Sequence, residues 1–262
     1  MGSPGLTERE RQTARVYDAM HAARAHSTIA DDLYAQAMGD LYPYELDASS
    51  SCDWPLLGTM VANLRMEPGH QLVDLACGTG GAGLWLARAL AVYVTGIDVS
   101  ATAVQLATGR VPEFWVPAER ARFAVGSLAR TGLPDRYANG LICVDGLGFE
   151  HDRRKSLEEI RRVLKPGARA VLTSSRPRLS STLPPWEQQA ENVGLVLEAE
   201  QERPHEPPMW QRLYTLWAEH EAELRAQLGD AQAESMLTEA RTRGPQLRER
   251  QALVVTLRRP EE

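Results

Sequence analysis

Val73-Asp74-Leu75-Ala76-Cys77-Gly78-Thr79-Gly80-Gly81-Ala82-Gly83 is the stretch on which the reading of this chain turns. An apolar run stops at a cluster of glycines, and a helix-forming segment starts at once. Glycine reaches backbone conformations closed to other residues, and its missing side chain lets a ligand press against the main chain. The start of the following helix offers free N–H groups and a partial positive charge, suited to a carboxylate or a phosphate. Strand, glycine turn and helix in that order put the segment at the carboxyl end of a strand, where open α/β sheets take their ligands.

Working outward, strand and helix signals alternate. Strands are expected at 70–76, 91–98, 122–125, 139–144 and 168–173, and helices at 80–90, 100–109 (capped by Ser100) and 152–164. Such alternation implies a mostly parallel, doubly wound sheet with helices on both faces. Two further strands, 195–202 and 251–257, bring the total to seven, the last alternating like an edge strand. Between them lies an amphipathic helical insertion, about 208–248. Ahead of the sheet, Thr7 with Glu10 forms a capping box for a first helix. A second helix follows over 27–38, then a turn-rich loop over 39–51. Asp53 caps a third helix over 54–64, with Pro55 in its first turn. The expected organisation is a helical cover over 1–53 and an α/β domain over 54–262, whose insertion acts as a lid over the acceptor.

Gly78, Gly80 and Gly83 satisfy G-x-G-x-x-G, so a dinucleotide site has to be weighed, and the pattern alone is weak. Two acids tilt the choice. Asp74 lies inside the strand end, where a pyrophosphate gains nothing from a carboxylate but an ammonium group does. Asp98 ends the next strand, about twenty residues after the first glycine, and suits a ribose diol. An acid near an ammonium, a helix start near a carboxylate and an acid at a ribose describe the amino-acid and sugar parts of S-adenosylmethionine (SAM). The plain alternative is a tight turn with no ligand.

With those residues in view, the chain resembles the class I, Rossmann-like SAM-dependent methyltransferases. Val73 to Gly80 looks like their first motif. Val94-Thr95-Gly96-Ile97-Asp98-Val99-Ser100, Leu141-Ile142-Cys143-Val144-Asp145 and Arg162-Val163-Leu164-Lys165-Pro166-Gly167-Ala168 agree with later ones. The resemblance spans roughly residues 54–173. It implies that Asp74, Ala76, Gly78 and Gly80 hold the methionine part, Asp98 the ribose, and Val99 the adenine. Ser127 stands where the family often has an acid for the adenine amino group, so that contact falls to Ser127 or the Leu128 backbone. Asp145 is implied near the methionine end and the acceptor. Tyr17 is implied to fold over the cofactor, with core packing as its ordinary alternative. The cofactor leaves as S-adenosylhomocysteine (SAH), and no metal is called for.

In the loop after the fourth strand, Glu150 and His151 are candidate bases facing the methyl group, since histidine titrates near neutrality. The bland alternative is that His151 or Asp152 caps the next helix. Aromatics outside the central sheet, Trp54, Trp186, Trp210, Trp217, Tyr34, Tyr42, Tyr44 and Tyr214, suit a flat apolar acceptor, although each alone suits packing equally well. The resemblance is nearest to bacterial natural-product tailoring enzymes, with an aromatic or indole-containing metabolite accepting at N, C or O.

Composition bounds the rest. A net charge of −6 over 262 residues argues against a nucleic-acid partner. Cys52, Cys77 and Cys143, odd in number and widely spaced, form no disulfide framework or metal motif. No signal peptide or membrane-spanning run is evident, so a cytoplasmic protein, monomer or homodimer, is expected. Two readings stay open beside methyl transfer: a SAM-fold enzyme that catalyses a rearrangement or cyclisation, and a nicotinamide-dependent oxidoreductase. A non-catalytic SAM-binding module is a third.

Overall fold

Which face of the sheet a helix covers follows from the two-residue alternation of strand side chains. The computed structural model describes residues 5–47, 49–149, 152–178 and 183–261. In chain order, α1 (Glu8–Arg24), α2 (Ile29–Met38) and α3 (Trp54–Leu64) precede β1 (Gln71–Leu75), α4 (Gly81–Leu90), β2 (Tyr93–Asp98), α5 (Ala101–Arg110) and β3 (Ala121–Val125). Next come β4 (Ala138–Cys143), α6 (Arg153–Val163), β5 (Leu164–Pro177), α7 (Trp186–Glu191) and β6 (Val196–Glu202). Then α8 (Glu206–Glu219), α9 (Glu221–Leu228) and α10 (Asp230–Arg243) lead to β7 (Arg250–Arg258).

The strands form the expected seven-stranded sheet, in the order β3-β2-β1-β4-β5-β7-β6. β1 to β5 pair in parallel, and β7 runs antiparallel to both β5 and β6. Along β4, Leu141 and Cys143 face one apolar layer and Ile142 the other. Val73 and Leu75 share the first layer with Leu157 and Ile160 of α6 and Trp186 of α7. Leu72, Ile142, Val171 and Val254 share the second with Leu57 and Met60 of α3 and Leu84 of α4. Each fully buried side chain of this size contributes about 1.5–3 kcal/mol.

A third core lies off the sheet. Leu33, Tyr34 and Ala37 of α2 pack with Leu213, Tyr214 and Trp217 of α8, Leu224 of α9 and Met236 of α10. The N-terminal cover and the late insertion thus share one apolar interior, although some 170 or more residues separate them in the chain. Local codes start the helices as expected. Thr7 and Glu10 close a reciprocal capping box, Asp53 accepts from the Leu56 amide, and Ser100 accepts from the Ala103 amide. Among the described residues, no helix is long and apolar enough to cross a membrane.

The structure corrects three sequence expectations. β7 is not an edge strand: it is inserted between β5 and β6 and is buried on both faces, because α7 covers one side and α3 lies toward the other. β6 takes the edge instead. β5 runs longer than 168–173, since antiparallel pairing to β7 continues to Pro177↔Arg250. The stretch 39–51 is not a free loop. It folds into two single 3-10 turns, Gly39–Leu41 and Tyr44–Leu46, and Tyr42 and Leu46 are buried. Its backbone is tied to α5, for the Arg110 guanidinium donates to the Leu46 carbonyl at 2.9 Å.

Candidate active site

At the carboxyl ends of β1 and β4 the backbone turns sharply in two adjacent places. Ala76 (φ 55°), Gly78 (φ 52°) and Asp145 (φ 55°) all take left-handed conformations. For Ala76 and Asp145 this is strained, and such strain persists only where the surroundings hold it, commonly at functional sites. The two turns approach closely: a Cβ on Gly146 would stand 2.7 Å from the Ala76 Cβ and 2.6 Å from the Cys143 sulfur. Only glycine at 146 lets them meet.

Two buried carboxylates brace these turns. Asp98, at the end of β2, accepts from the Gly78 amide (2.9 Å) and the Ser100 amide (2.9 Å). Burial raises its carboxyl above the usual range, and those backbone bonds oppose the rise. Asp74, inside β1, accepts from the Gly83 amide of α4 at 3.1 Å. Burial pushes its carboxyl up to about 8, with the Gly83 bond pulling the other way. A buried acid so poised is stabilised as an anion by a cation placed beside it.

The turns open into one cavity of about 2010 Å³. Tyr17, Asp74, Ala76, Gly78, Asp98, Val99, Ser127, Leu128 and Asp145 all line it. Gly80 does not. It faces the other way, where a Cβ would meet Ala107 and the Phe123 ring at 3.0 Å, so its part is to let α4 start against α5 and β3. Tyr17 stands edge-on to Phe149, ring centroids 5.4 Å apart, and burial raises its phenol. The candidate bases Glu150 and His151 lie outside the described residues. Asp152 caps α6, accepting from the Lys155 amide at 3.4 Å. Of the aromatics, Tyr34, Tyr42, Tyr44, Trp210, Tyr214 and Trp217 line the cavity. Trp186 instead packs into the sheet core, and Trp54 stacks edge-on against Trp85.

Several residues that line or back the cavity carried no sequence signal. Ser51 donates to Asp145 through its amide (2.7 Å) and its hydroxyl (2.8 Å), and Arg203 donates to the Ser51 hydroxyl (2.9 Å) and carbonyl. Arg203 also pairs with Asp53 at 3.4 Å. This chain of contacts joins β4, the cover and the turn before α8 across 152 residues. His21 is buried over the glycine turn, and burial, with Arg24 adding to it, lowers its imidazole to about 4. Arg24 lines the same wall. Glu206, at the start of α8, accepts from the Trp210 indole (2.9 Å) and from Arg250 (2.6 Å). In sequence Ser51, Arg203 and Glu206 sit in polar runs that read as solvated surface.

The residues present fit a nucleoside that carries an amino-acid tail. A Cβ on Gly78 would project into the cavity, with only the His21 ring within 4 Å, at 3.9 Å, so the main chain there is bare to a ligand. Fold and site together define an α/β protein whose nucleoside-type cradle lies at the carboxyl ends of a parallel sheet. Residues 73–172 match the methyltransferase domain family. An O-methyltransferase of Aspergillus nomiae is 30% identical over 116 residues, 44% of this chain and 50% of that protein. The demethylmenaquinone methyltransferase of Lactiplantibacillus plantarum is 33% identical over 130 residues, 48% of this chain and 54% of that one. The chain thus spans about half the length of these curated relatives. In fold it is similar to the crystal structure of the 4+2 cyclase SpnF, with a TM-score of 0.74 over 100% of both chains and 19% identity. Residues 73–172 thus resemble a methyltransferase domain, and the whole chain shares the Rossmann-like fold of the solved structure.

Proposed function

We propose that the chain binds SAM in the cradle and transfers its methyl group to a small organic acceptor, an aromatic or indole-containing metabolite. The observation that carries this reading is the continuity of the cavity. It runs from Asp98 past Ala76 and Asp145 to a chamber walled by Tyr34, Trp210, Tyr214 and Trp217. When bound, SAM supplies an electrophilic methyl on a positive sulfur.

The chain's own residues do the rest. Asp98 takes the ribose hydroxyls while its backbone bonds hold Gly78 in place. Asp74 steadies the ammonium, and the bare Gly78 main chain lies along the methionine part. Val99, Ser127 and Leu128 flank the adenine. Tyr17 and His21 on α1 cover the cradle and exclude water, which strengthens the charge interactions inside. Aromatic faces orient a flat acceptor, and orientation supplies much of the acceleration of a bimolecular transfer. On this reading the 1–53 cover and the 208–248 insertion act as one lid, since they share a core.

Labelled SAM offered with extracts rich in aromatic metabolites tests the proposal. The expected result is label in an organic product and SAH in equal amount. Calorimetry with SAH and NADH separates the cofactor classes, with binding expected for SAH alone. A second reading has one observation in its favour: the full-length likeness to a cyclase. Tight SAH binding with no label moved to any acceptor would favour that cyclisation or rearrangement chemistry.

A further inference from the structure

One carboxylate in the aromatic chamber is half used. Glu206 is only 3% exposed. Both donors that reach it, the Trp210 indole N–H and the Arg250 guanidinium, bond to the same oxygen, Oε1. The other oxygen, Oε2, is buried and has no hydrogen-bond partner among the described residues. Leaving a buried carboxylate oxygen unpaired is costly, and such atoms usually have a water, ion or ligand to meet. Other buried polar atoms of residues that line the cavity share this condition, among them the Trp217 indole N–H and the Tyr42 hydroxyl. Glu206 lines the same cavity as Asp145, Arg203 and Arg250. Asp145, the strained residue at the end of β4, repels it, and Arg250 and Arg203 attract it.

We propose that Glu206 Oε2 selects the acceptor: it takes a hydrogen bond from an O–H or N–H on a flat aromatic ligand in the chamber. The inference rests on the chamber being the acceptor site of a methyltransferase, and it adds the ligand class, a phenol or N–H heteroaromatic in place of its methylated form. Arg250 and Trp210 fix the carboxylate by holding Oε1, so Oε2 is presented in one direction. A ligand that brings a donor satisfies a buried acceptor, whereas an ether of the same shape leaves it unpaired. Sites built this way discriminate strongly against the analogue that lacks the donor. A methylated product would lose the bond its precursor made, which favours release after transfer.

The test uses 2-naphthol and its methyl ether, 2-methoxynaphthalene, titrated calorimetrically into the full chain saturated with SAH. The wild-type protein is expected to bind the naphthol at least about tenfold more tightly than the ether. In Glu206→Gln the Trp210 and Arg250 donors hold the amide oxygen and turn the NH₂ toward the ligand. The preference should therefore fall to about one or reverse, while SAH affinity stays within about threefold. Equal binding of the two probes by the wild-type protein, or binding of neither, overturns the proposal. So does a Glu206→Gln protein that folds and keeps the preference. Should Glu206→Gln fail to fold, Trp210→Phe frees one of the two bonds on Oε1, and the preference should drop about threefold. An unchanged ratio there also overturns it. Failure of the wild-type protein to bind SAH counts against the methyltransferase reading instead, and the naphthol ratio measured without SAH then still judges Glu206.

Discussion

The cradle at the ends of β1, β2 and β4 and the aromatic chamber beyond it are one cavity built in two ways. The cradle is main chain: left-handed Ala76, Gly78 and Asp145, braced by carboxylates that accept from backbone amides. The chamber is side chain: Tyr34 from α2 stands edge-on to Trp210 of α8 at 5.9 Å and to Trp217 at 6.4 Å. Backbone geometry is set by the sheet and tolerates little change in the ligand. Side chains on a separate helical core can be exchanged without disturbing the sheet. On the proposed reading, the comparison teaches that this molecule confines its fixed chemistry to the sheet and its selectivity to the helices.

The sharpest way to break that comparison is to damage the chamber alone. Trp217 is buried in the third core, and Trp217→Ala should cost about 3–5 kcal/mol. At about 2–4 °C per kcal/mol for a chain of this size, the melting temperature should fall by about 10 °C. SAH affinity below that temperature should change by less than about threefold. If calorimetry shows affinity collapsing with stability, the two regions are a single unit. Damage to the cradle should do the reverse. Asp98→Ala strips the Gly78 and Ser100 amides of a buried acceptor, and SAH affinity should drop about ten- to hundredfold. Trp210 fluorescence quenching by an aromatic probe should change little. Ser51→Ala, at the joint, removes a hydroxyl that bonds both Asp145 and Arg203. A smaller loss, about 1–2 kcal/mol by thermal melting, should touch both functions together.

The two regions also differ in how far they can be read from sequence. The cradle is legible because its signals are local. A strand end, a glycine turn and a cap lie within a few residues, and Asp98 follows at a spacing that the β-α-β unit dictates. The caps at Thr7, Asp53 and Ser100 are legible for the same reason. Gly80 shows the limit: one glycine of the motif serves helix packing, and spacing does not distinguish that from ligand contact. The chamber's polar groups were hidden. Arg203 and Glu206 stand in Gln201-Glu202-Arg203-Pro204-His205-Glu206, which has the composition of a solvated turn. They are buried because Ser51 and Arg250, far off in the chain, receive them. β7 misled for a related reason: alternation describes one strand's two faces and says nothing of its neighbours, and the order of strands is a long-range property.

The mildest perturbation, pH, should separate the regions in order. In the cover, Asp31 is pushed up to about 7 by burial and by the adjoining Asp47, with Arg24 and Arg110 opposing. In the cradle, Asp74 is pushed up to about 8. Both fold with a pKa above their unfolded value, so the native state holds the extra proton and stability falls as pH rises toward each value. His21, lowered to about 4, has the opposite sign, but its contribution is complete once pH exceeds its ordinary value of 6.5. Above that point the acids alone remain, and the melting temperature without cofactor should decline between about pH 6.5 and 8.5, by a few degrees at about 2–4 °C per kcal/mol. Asp31→Asn should make the decline shallower only up to about pH 7, whereas Asp74→Asn should lessen it there and remove nearly all of it above. Saturating SAH, whose ammonium favours the ionised Asp74, should flatten the later part and leave only the Asp31 share of the early one. A decline that both variants abolish equally, or that SAH flattens throughout, would mean that cover and cradle titrate as one body.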